Sequence, residues 1–516
     1  MISDGQQFDL VVIGGGINGA GIARDAAGRG LSVLLCEKAD LGAATSSAST
    51  KLIHGGLRYL EHFEFRLVRE ALEEREVLLR SAPHIISPLT FILPHAPHLR
   101  PHWMIRAGLF LYDRLARRQR LHGSRAIDLS RHPAGAALQG VSKGFSYSDC
   151  WVDDSRLVVL NAMDAANRGA VVLTRSAFLS AERGDRIWRV RVAGPGRDIE
   201  VCARVLVNAA GPWVGRVLER ISGISQKPTM RLVKGSHIVV DRRLPTTDAF
   251  IFQNPDRRIV FAIPYLGRYC LIGTTDVAFD DDPAAVAIDE DEIDYLIEAV
   301  NAYFAEPVCR ADIVWTYSGV RPLIDDGKSQ PSAVSRDYSF DVDDASGRPP
   351  LLSVLGGKIT TYRKLAEQAV DRLVRYFGSV GPAWTATATL PGGDIPDGDP
   401  NAFARGLRQM RPWLPVELAD RYAHAYGTLS DVLLAGASDI DGLGREVAPG
   451  LFEAELQYLV DREWARTAED VLWRRSKLGV GMTDQAIAAV QDWLDGGSSE
   501  TDLDARRRTV ISHAYQ

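Results

Sequence analysis

Gly14, Gly16 and Gly19 form a G-x-G-x-x-G pattern directly behind the apolar run Phe8–Ile13. Such spacing predicts a strand-to-helix turn over which a dinucleotide diphosphate can lie. Gly14 allows the tight turn, Gly16 lets backbone approach the phosphates, and Gly19 lets helix and strand pack closely. The helix N-terminus supplies unpaired N–H groups and positive dipole. A second β-like run, Leu31–Cys36, ends in Glu37, eighteen residues beyond Gly19, where a carboxylate accepts from ribose hydroxyls and repels a 2′-phosphate. This fingerprint alone does not separate FAD from NAD. Behind it, Thr45–Tyr59 is dense in small hydroxyls, cations and glycine, including Thr45, Ser46, Ser49, His54, Arg58 and Tyr59. Small hydroxyl residues let backbone pass a large flat ring and hydrogen-bond its edge. Two further segments, Val207–Trp213 with Gly211 and Gly356-Gly357-Lys358, read by themselves equally as plain turns or as cofactor contacts.

The elements needed to position these residues are legible. A β-α-β unit covers 8–37, and apolar residues three or four apart predict a helix over 64–80. Short strands follow through 170–208, then at His237–Val240, Arg258–Ile263, Cys270–Ile272 and Leu351–Leu355, the last running into a helix near Thr361. Turn formers and acids at 391–400 mark a linker, and the remainder reads as helical. Within it Thr467 and Asp470 are spaced as a helix cap pair, and Trp464 and Trp473 as core residues.

A length of 516 residues exceeds one core and predicts at least two domains. A net charge of −6 argues against nucleic-acid binding. Five scattered cysteines with no C-x-x-C pair fit a reducing compartment and no zinc module, and no metal site is expected. No leader and no apolar run of bilayer length are evident, so a cytoplasmic location is expected.

Taken in order, Ile13–Ile22, Thr45–Glu61, Tyr147–Asp154, Lys234–Val240, Ile272–Asp276, Trp315–Pro322, Gly356–Lys364 and Tyr458–Asp461 resemble the FAD-dependent respiratory (aerobic) glycerol-3-phosphate dehydrogenases nearly end to end. The resemblance implies an α/β fold of the amino-acid-oxidase type. A Rossmann-like FAD domain (about 8–85, 155–235 and 350–385) is interleaved with a mixed-sheet substrate domain (about 236–348), before a helical domain at 401–516. It implies oxidation of sn-glycerol 3-phosphate at C2 to dihydroxyacetone phosphate, hydride passing to flavin N5 and electrons then to a membrane quinone.

By the same resemblance, Arg58, Tyr59, Arg321, Lys358 and the weaker candidate Arg336 surround substrate, with arginine forks and a lysine charge suited to a phosphate dianion. His237 is the favoured base for the hydroxyl proton and His54 its competitor, with Arg321 and Lys358 counted as catalytic. Gly14, Gly16, Asn18, Gly19, Glu37, Thr45, Ser46, Ser49, Gly211, Gly356, Gly357 and Thr360 are assigned to FAD. Gly356 and Gly357 would bring N–H groups toward the pyrimidine edge.

Residues 100–120 carry six arginines and one acid around the short apolar body Trp103–Tyr112, which suits a helix lying on an anionic lipid surface. Peripheral attachment to the inner (cytoplasmic) membrane and a homodimer are expected. A glycerol-3-phosphate oxidase passing electrons to O2 is the nearest alternative. An amino-acid or amine oxidase of the same fold needs one carboxylate clamp rather than several cations. A flavin-loaded binding protein without catalysis would not need the set Arg58, His237, Arg321 and Lys358, and NAD-linked chemistry lacks a second fingerprint.

Overall fold

The computed structural model describes residues 2–96, 99–194, 196–224, 230–256, 258–324, 337–344 and 347–496. Arg336 lies outside them, and so does the side chain of Arg58, although its backbone belongs to the described turn Leu57–His62. The chain divides into two compact units, Met1–Asp394 and Ile395–Gln516, at a point inside the 391–400 turn cluster.

The first unit holds two large sheets. At the centre of the nine-stranded sheet, β1 (Gln6–Ile13) runs parallel between β2 (Val33–Cys36) and Ile199–Asn208. The apolar run of β1 is uninterrupted because both faces are covered: Leu10, Val11 and Val12 are fully buried. Helix α1 (Ile17–Gly28) follows β1, its alanines and glycines allowing close contact with the Asp154–Asn167 and Tyr362–Leu373 helices.

The ten-stranded sheet contains Met230–Val240 at the centre of its substrate-side half, flanked by Tyr269–Gly273 and Ile313–Ile324, both antiparallel to it. This sheet departs from the expected substrate range of 236–348. Ile86–Pro94, Arg125–Asp128 and Lys143–Val152 belong to it, whereas Tyr338–Asp343 pairs with Leu351–Gly356 in the other sheet. Two prolines obscure Ile86–Pro94, since proline inside an apolar run argues against a strand. Lys143–Val152 shows no clean alternation because its polar Asp149 is buried against Arg75 instead of facing water.

The expected helix over 64–80 is α2 (Phe65–Ser81). The apolar body of the basic segment is α3 (His102–Tyr112), which buries only Leu109 and Tyr112. In the second unit, helices Pro400–Met410, Val416–Ala425, Glu453–Glu463 and Asp484–Gly496 enclose a core that includes Leu407, Tyr422, Leu459 and Leu472. One short hairpin, Glu446–Ala448 with Leu451–Phe452, interrupts the helices. Asp470 accepts from the Thr467 N–H and returns its own N–H to Thr467 Oγ1, the anticipated cap pair. Trp473 packs on the core, while half-buried Trp464 instead ends the Glu453–Glu463 helix in the left-handed region at φ 58°.

Candidate functional site

The turn after β1 is a cradle that side chains would fill. Gly14 has φ +108°, and a Cβ there would sit 2.7 Å from the Ala209 carbonyl oxygen. A Cβ on Gly19 would sit 1.9 Å from the Gly14 carbonyl oxygen, so helix α1 can leave this turn only with glycine at 19. Gly16 caps α1 with no side-chain hydrogen bond, and the first helical turn holds no acid. An anionic diphosphate therefore meets backbone N–H groups and positive dipole without a competing carboxylate. Ser46 Oγ accepts from the Ile17 N–H at 3.0 Å, which brings the 45–49 loop against the helix start.

Glu37 accepts from the Gly15 N–H at 2.6 Å and the Ala39 N–H at 2.9 Å. Burial raises its pKa above the usual carboxylate value, and the two backbone donors pull the other way. On the far side, Asn18 Nδ2 donates to the Gly356 carbonyl at 3.3 Å, and Asn18 Oδ1 is buried with no hydrogen-bond partner among the described residues. A Cβ on Gly357, at φ +102°, would come within 3.0 Å of Asn18. Gly211 opens a tight turn at φ +54°, one residue past Ala210, which borders Gly14. Thr360 Oγ1 accepts from the His54 N–H at 3.2 Å, joining the second glycine pair to the Thr45–Tyr59 loop. This glycine-lined cradle, with its open helix N-terminus and unpartnered amide oxygen, fits a dinucleotide such as FAD.

Two of the expected substrate-side residues, His237 and Arg321, share one face of the ten-stranded sheet. Across the Met230–Val240 and Ile313–Ile324 strands, His237 pairs with Tyr317, Gly235 with Gly319, and Val233 with Arg321. Alternation places all six on the same face. The glycine pair leaves a strip without side chains between the imidazole and the guanidinium. Arg321 leans over that strip: a Cβ on Gly235 would lie 2.3 Å from its Nη2. A Cβ on Gly319 would lie 2.9 Å from Ala48 of the cofactor loop. Thr45 Oγ1 donates to the Val320 carbonyl at 2.7 Å, so the cofactor loop lies along the arginine strand.

Arg321 donates from Nη2 to Thr274 Oγ1 at 2.9 Å, from Nη1 to the Thr275 carbonyl at 3.4 Å, and forms an ion pair with Asp276. Lys358 Nζ lies 3.7 Å above the centre of the Tyr59 ring. His54 contacts Phe261 edge-to-face at 6.4 Å between ring centres. His237 is buried, stacked on Tyr317 at 4.7 Å, with Nε2 3.0 Å from Thr50 Oγ1. Desolvation, reinforced by the Arg321 and Lys51 cations, holds its pKa well below the ordinary histidine range.

That shift has a stability consequence. Below about pH 6.5 an unfolded chain protonates this histidine while the folded chain keeps it neutral. The contribution is therefore complete above about 6.5 and declines as pH falls from there toward the depressed folded value. One such group steepens the decline by about 1.4 kcal/mol per pH unit. Urea unfolding at pH 7.5, 6.5 and 5.5 should show a shallower fall for His237→Gln than for the native sequence. Identical slopes would mean that the imidazole is not held neutral.

Residues 9–363 match the model of the FAD dependent oxidoreductase family, and 383–508 match that of the C-terminal domain of alpha-glycerophosphate oxidase. The aerobic glycerol-3-phosphate dehydrogenase of Escherichia coli (strain K12) is 53% identical over 94% of this chain and 97% of its own length. The chain belongs to the FAD-dependent aerobic glycerol-3-phosphate dehydrogenase family. The D-erythritol 1-phosphate dehydrogenase of Brucella abortus (strain 2308) is 52% identical over 96% of this chain and 99% of its own. The glycerol-3-phosphate dehydrogenase from Bacillus halodurans, solved in complex with FAD, superposes with a TM-score of 0.75 at 28% identity, covering 98% of this chain and 94% of that one.

Against this family background, several side chains around the site had no role assigned from sequence. Glu292 is buried and accepts from Ser236 Oγ, Thr275 Oγ1 and Lys234 Nζ, underpinning the strand and loop that hold Arg321. Lys51 and Asp154 form a fully buried ion pair beneath Thr50. Tyr112 and Arg75 bond Asp149, and Gly55 donates to the Tyr112 hydroxyl. All of these partners are distant in sequence. The signal for them was the presence of Lys51, Gly55, Asp149, Asp154, Lys234, Ser236 and Thr275 inside motif-bearing segments.

Proposed function

We propose that this chain oxidises a small polyol phosphate at a secondary hydroxyl, with sn-glycerol 3-phosphate as substrate, dihydroxyacetone phosphate as product and a membrane quinone as final acceptor. The observation carrying this reading is the shared strand face on which neutral His237 and cationic Arg321 are separated by Gly235 and Gly319. With no side chain at Gly235, the Arg321 guanidinium folds over that position toward His237, an arrangement of cation and base suited to a short, hydroxylated anion. Arg321, Lys358 and, by the resemblance, Arg58 and Arg336 hold the phosphate, and His237 takes the hydroxyl proton. Bound FAD supplies the two-electron acceptor for the carbon-bound hydrogen. Tyr59, whose ring lies beneath Lys358, is assigned to the same substrate set.

A four-carbon substrate is the second reading, favoured by the similarity to the Brucella relative. Turnover with sn-glycerol 3-phosphate and with D-erythritol 1-phosphate, each followed with a soluble quinone analogue, decides between them through kcat/KM. Hydrogen peroxide formation faster than quinone reduction would instead favour the oxidase.

The acceptor proposal is supported by α3, on which Trp103 is 69% and Phe110 50% exposed, with Met104 and Leu111 also exposed. No helix among the described residues is long and apolar enough to cross a membrane, so attachment would be peripheral. Arg114, Arg117 and Arg120 are exposed, and in this reading they are the cations that the segment turns toward lipid. Near anionic lipid each contributes about 1 kcal/mol. Replacing Arg117 and Arg120 by glutamine should weaken flotation with anionic vesicles by more than about tenfold. Unchanged flotation at high salt would remove the segment as the electrostatic anchor. The homodimer implied by the resemblance belongs to the same reading and is checked by light scattering.

A further inference from the structure

The hydrogen bond at His237 leaves its two ring nitrogens unequal. Nε2 is 3.0 Å from Thr50 Oγ1, while Nδ1 is buried with no hydrogen-bond partner among the described residues. The ring is packed closely on two sides in this orientation. Tyr317 stacks on it with only 15° between planes, and Gly273 lies so close that a Cβ there would be 2.1 Å from His237 Cδ2. A neutral imidazole has one N–H, so whatever bonds Nε2 decides whether Nδ1 is a donor or an acceptor.

Thr50 is unusually constrained for a residue in a hydroxyl-rich loop. On one side Ser49 donates from its N–H and its hydroxyl to Asp154 Oδ2, at 3.2 and 2.7 Å. On the other, Lys51 is fully buried at φ +60° and donates from Nζ to both Asp154 oxygens, at 2.9 and 3.0 Å. The Tyr317 hydroxyl donates to the Ser49 carbonyl at 2.9 Å, so the residue stacked on His237 also grips the loop beside Thr50. A buried ion pair and a left-handed lysine are both costly, and such features persist where surrounding structure must hold a group in one place.

We propose that Thr50 is a positioning residue for the proton transfer: its hydroxyl oxygen accepts from the Nε2–H of His237 and so keeps Nδ1 as a bare acceptor for the substrate hydroxyl. The Lys51–Asp154 pair holds Thr50 at that point. The inference rests on the reading of His237 as proton acceptor. In the step, the substrate O–H bond breaks and its proton goes to Nδ1. The hydrogen on the same carbon leaves with its electron pair for bound FAD, and C–O becomes C=O. The carbon loses two electrons, the flavin gains the same two, and the imidazole, now carrying both protons, still donates to Thr50. Without the threonine oxygen, Nε2–H is buried without a partner, and the tautomer protonated on Nδ1, which cannot accept, gains population.

Anaerobic stopped-flow reduction of the FAD-loaded enzyme by sn-glycerol 3-phosphate tests this with Thr50→Val, Thr50→Ser and His237→Ala. Thr50→Val is expected to slow the limiting reduction rate at least about tenfold, part of the roughly 10²- to 10⁴-fold that a general base contributes. Its substrate Kd and flavin content should match the native enzyme, and Thr50→Ser should recover the rate to within about threefold, since it keeps the accepting oxygen. Native rates for Thr50→Val beside a slow His237→Ala would overturn the positioning role alone. A native rate for His237→Ala would overturn the reading beneath it. If the valine variant does not fold, Thr50→Ala removes the same oxygen from this half-buried position and is judged by the same rates.

Discussion

Replacing Arg321 by alanine is expected to lower kcat/KM for the polyol phosphate by about 10²- to 10³-fold, the usual loss when one charged donor is removed from a preorganised site. Flavin content should be unchanged, because the strand's bond to the cofactor loop is made by the Val320 carbonyl, which accepts from Thr45 Oγ1, and survives the substitution. The guanidinium is already aimed. Thr274 and the Thr275 carbonyl take two of its donors, Asp276 balances its charge, and the Gly235–Gly319 strip clears the space beneath it. Arg321→Lys should recover only part of the loss, since an ammonium keeps the charge but not the fork. Alanine also leaves Asp276, whose side chain is 10% exposed, without its cation, so a modest fall in Tm should accompany the kinetic effect. Native kcat/KM in Arg321→Ala would mean that the cation on this strand does not touch substrate.

Replacing Gly19 by valine is expected to abolish flavin loading. The first atom of any side chain would already be 1.9 Å from the Gly14 carbonyl oxygen, far inside contact distance, and valine adds two methyl groups. The clash can be relieved only by separating α1 from β1, which moves the N–H groups of the helix start away from the diphosphate. A shift costing about 3 kcal/mol corresponds to more than a hundredfold in affinity. The protein should purify colourless, with flavin-to-protein absorbance at least about tenfold below native. Gly215→Ala is the control, because a Cβ at Gly215 meets nothing within 4 Å, and this variant should remain yellow. A yellow Gly19→Val protein would place the flavin elsewhere.

The two sides of the site were legible to different degrees in the sequence. Gly14, Gly16, Gly19 and Glu37 announce themselves because a dinucleotide turn is local: strand, turn, helix and acid all fall within 8–37. Asn18 and Gly356 meet across 338 positions, a contact no spacing rule contains. The glycine strip opposite Arg321 is non-local in the same way. Gly235 and Gly319 each look like an isolated strand glycine, and only the register between their strands makes them a gap. The expected substrate range missed Ile86–Pro94 and Lys143–Val152 because prolines and a buried aspartate disguise them, though both strands belong to the ten-stranded sheet on which the site is built. His237 could be singled out from its motif. That it is neutral, stacked and bonded to Thr50 depends on three chain segments meeting at one ring.

The central claim, that a polyol phosphate reduces a flavin held in this cradle, is tested most directly by mixing the purified, yellow protein anaerobically with sn-glycerol 3-phosphate. Prompt bleaching near 450 nm (the usual flavin band), reversed by a soluble quinone analogue faster than by air, is the expected result. A protein that holds FAD and stays yellow with both sn-glycerol 3-phosphate and D-erythritol 1-phosphate would contradict it.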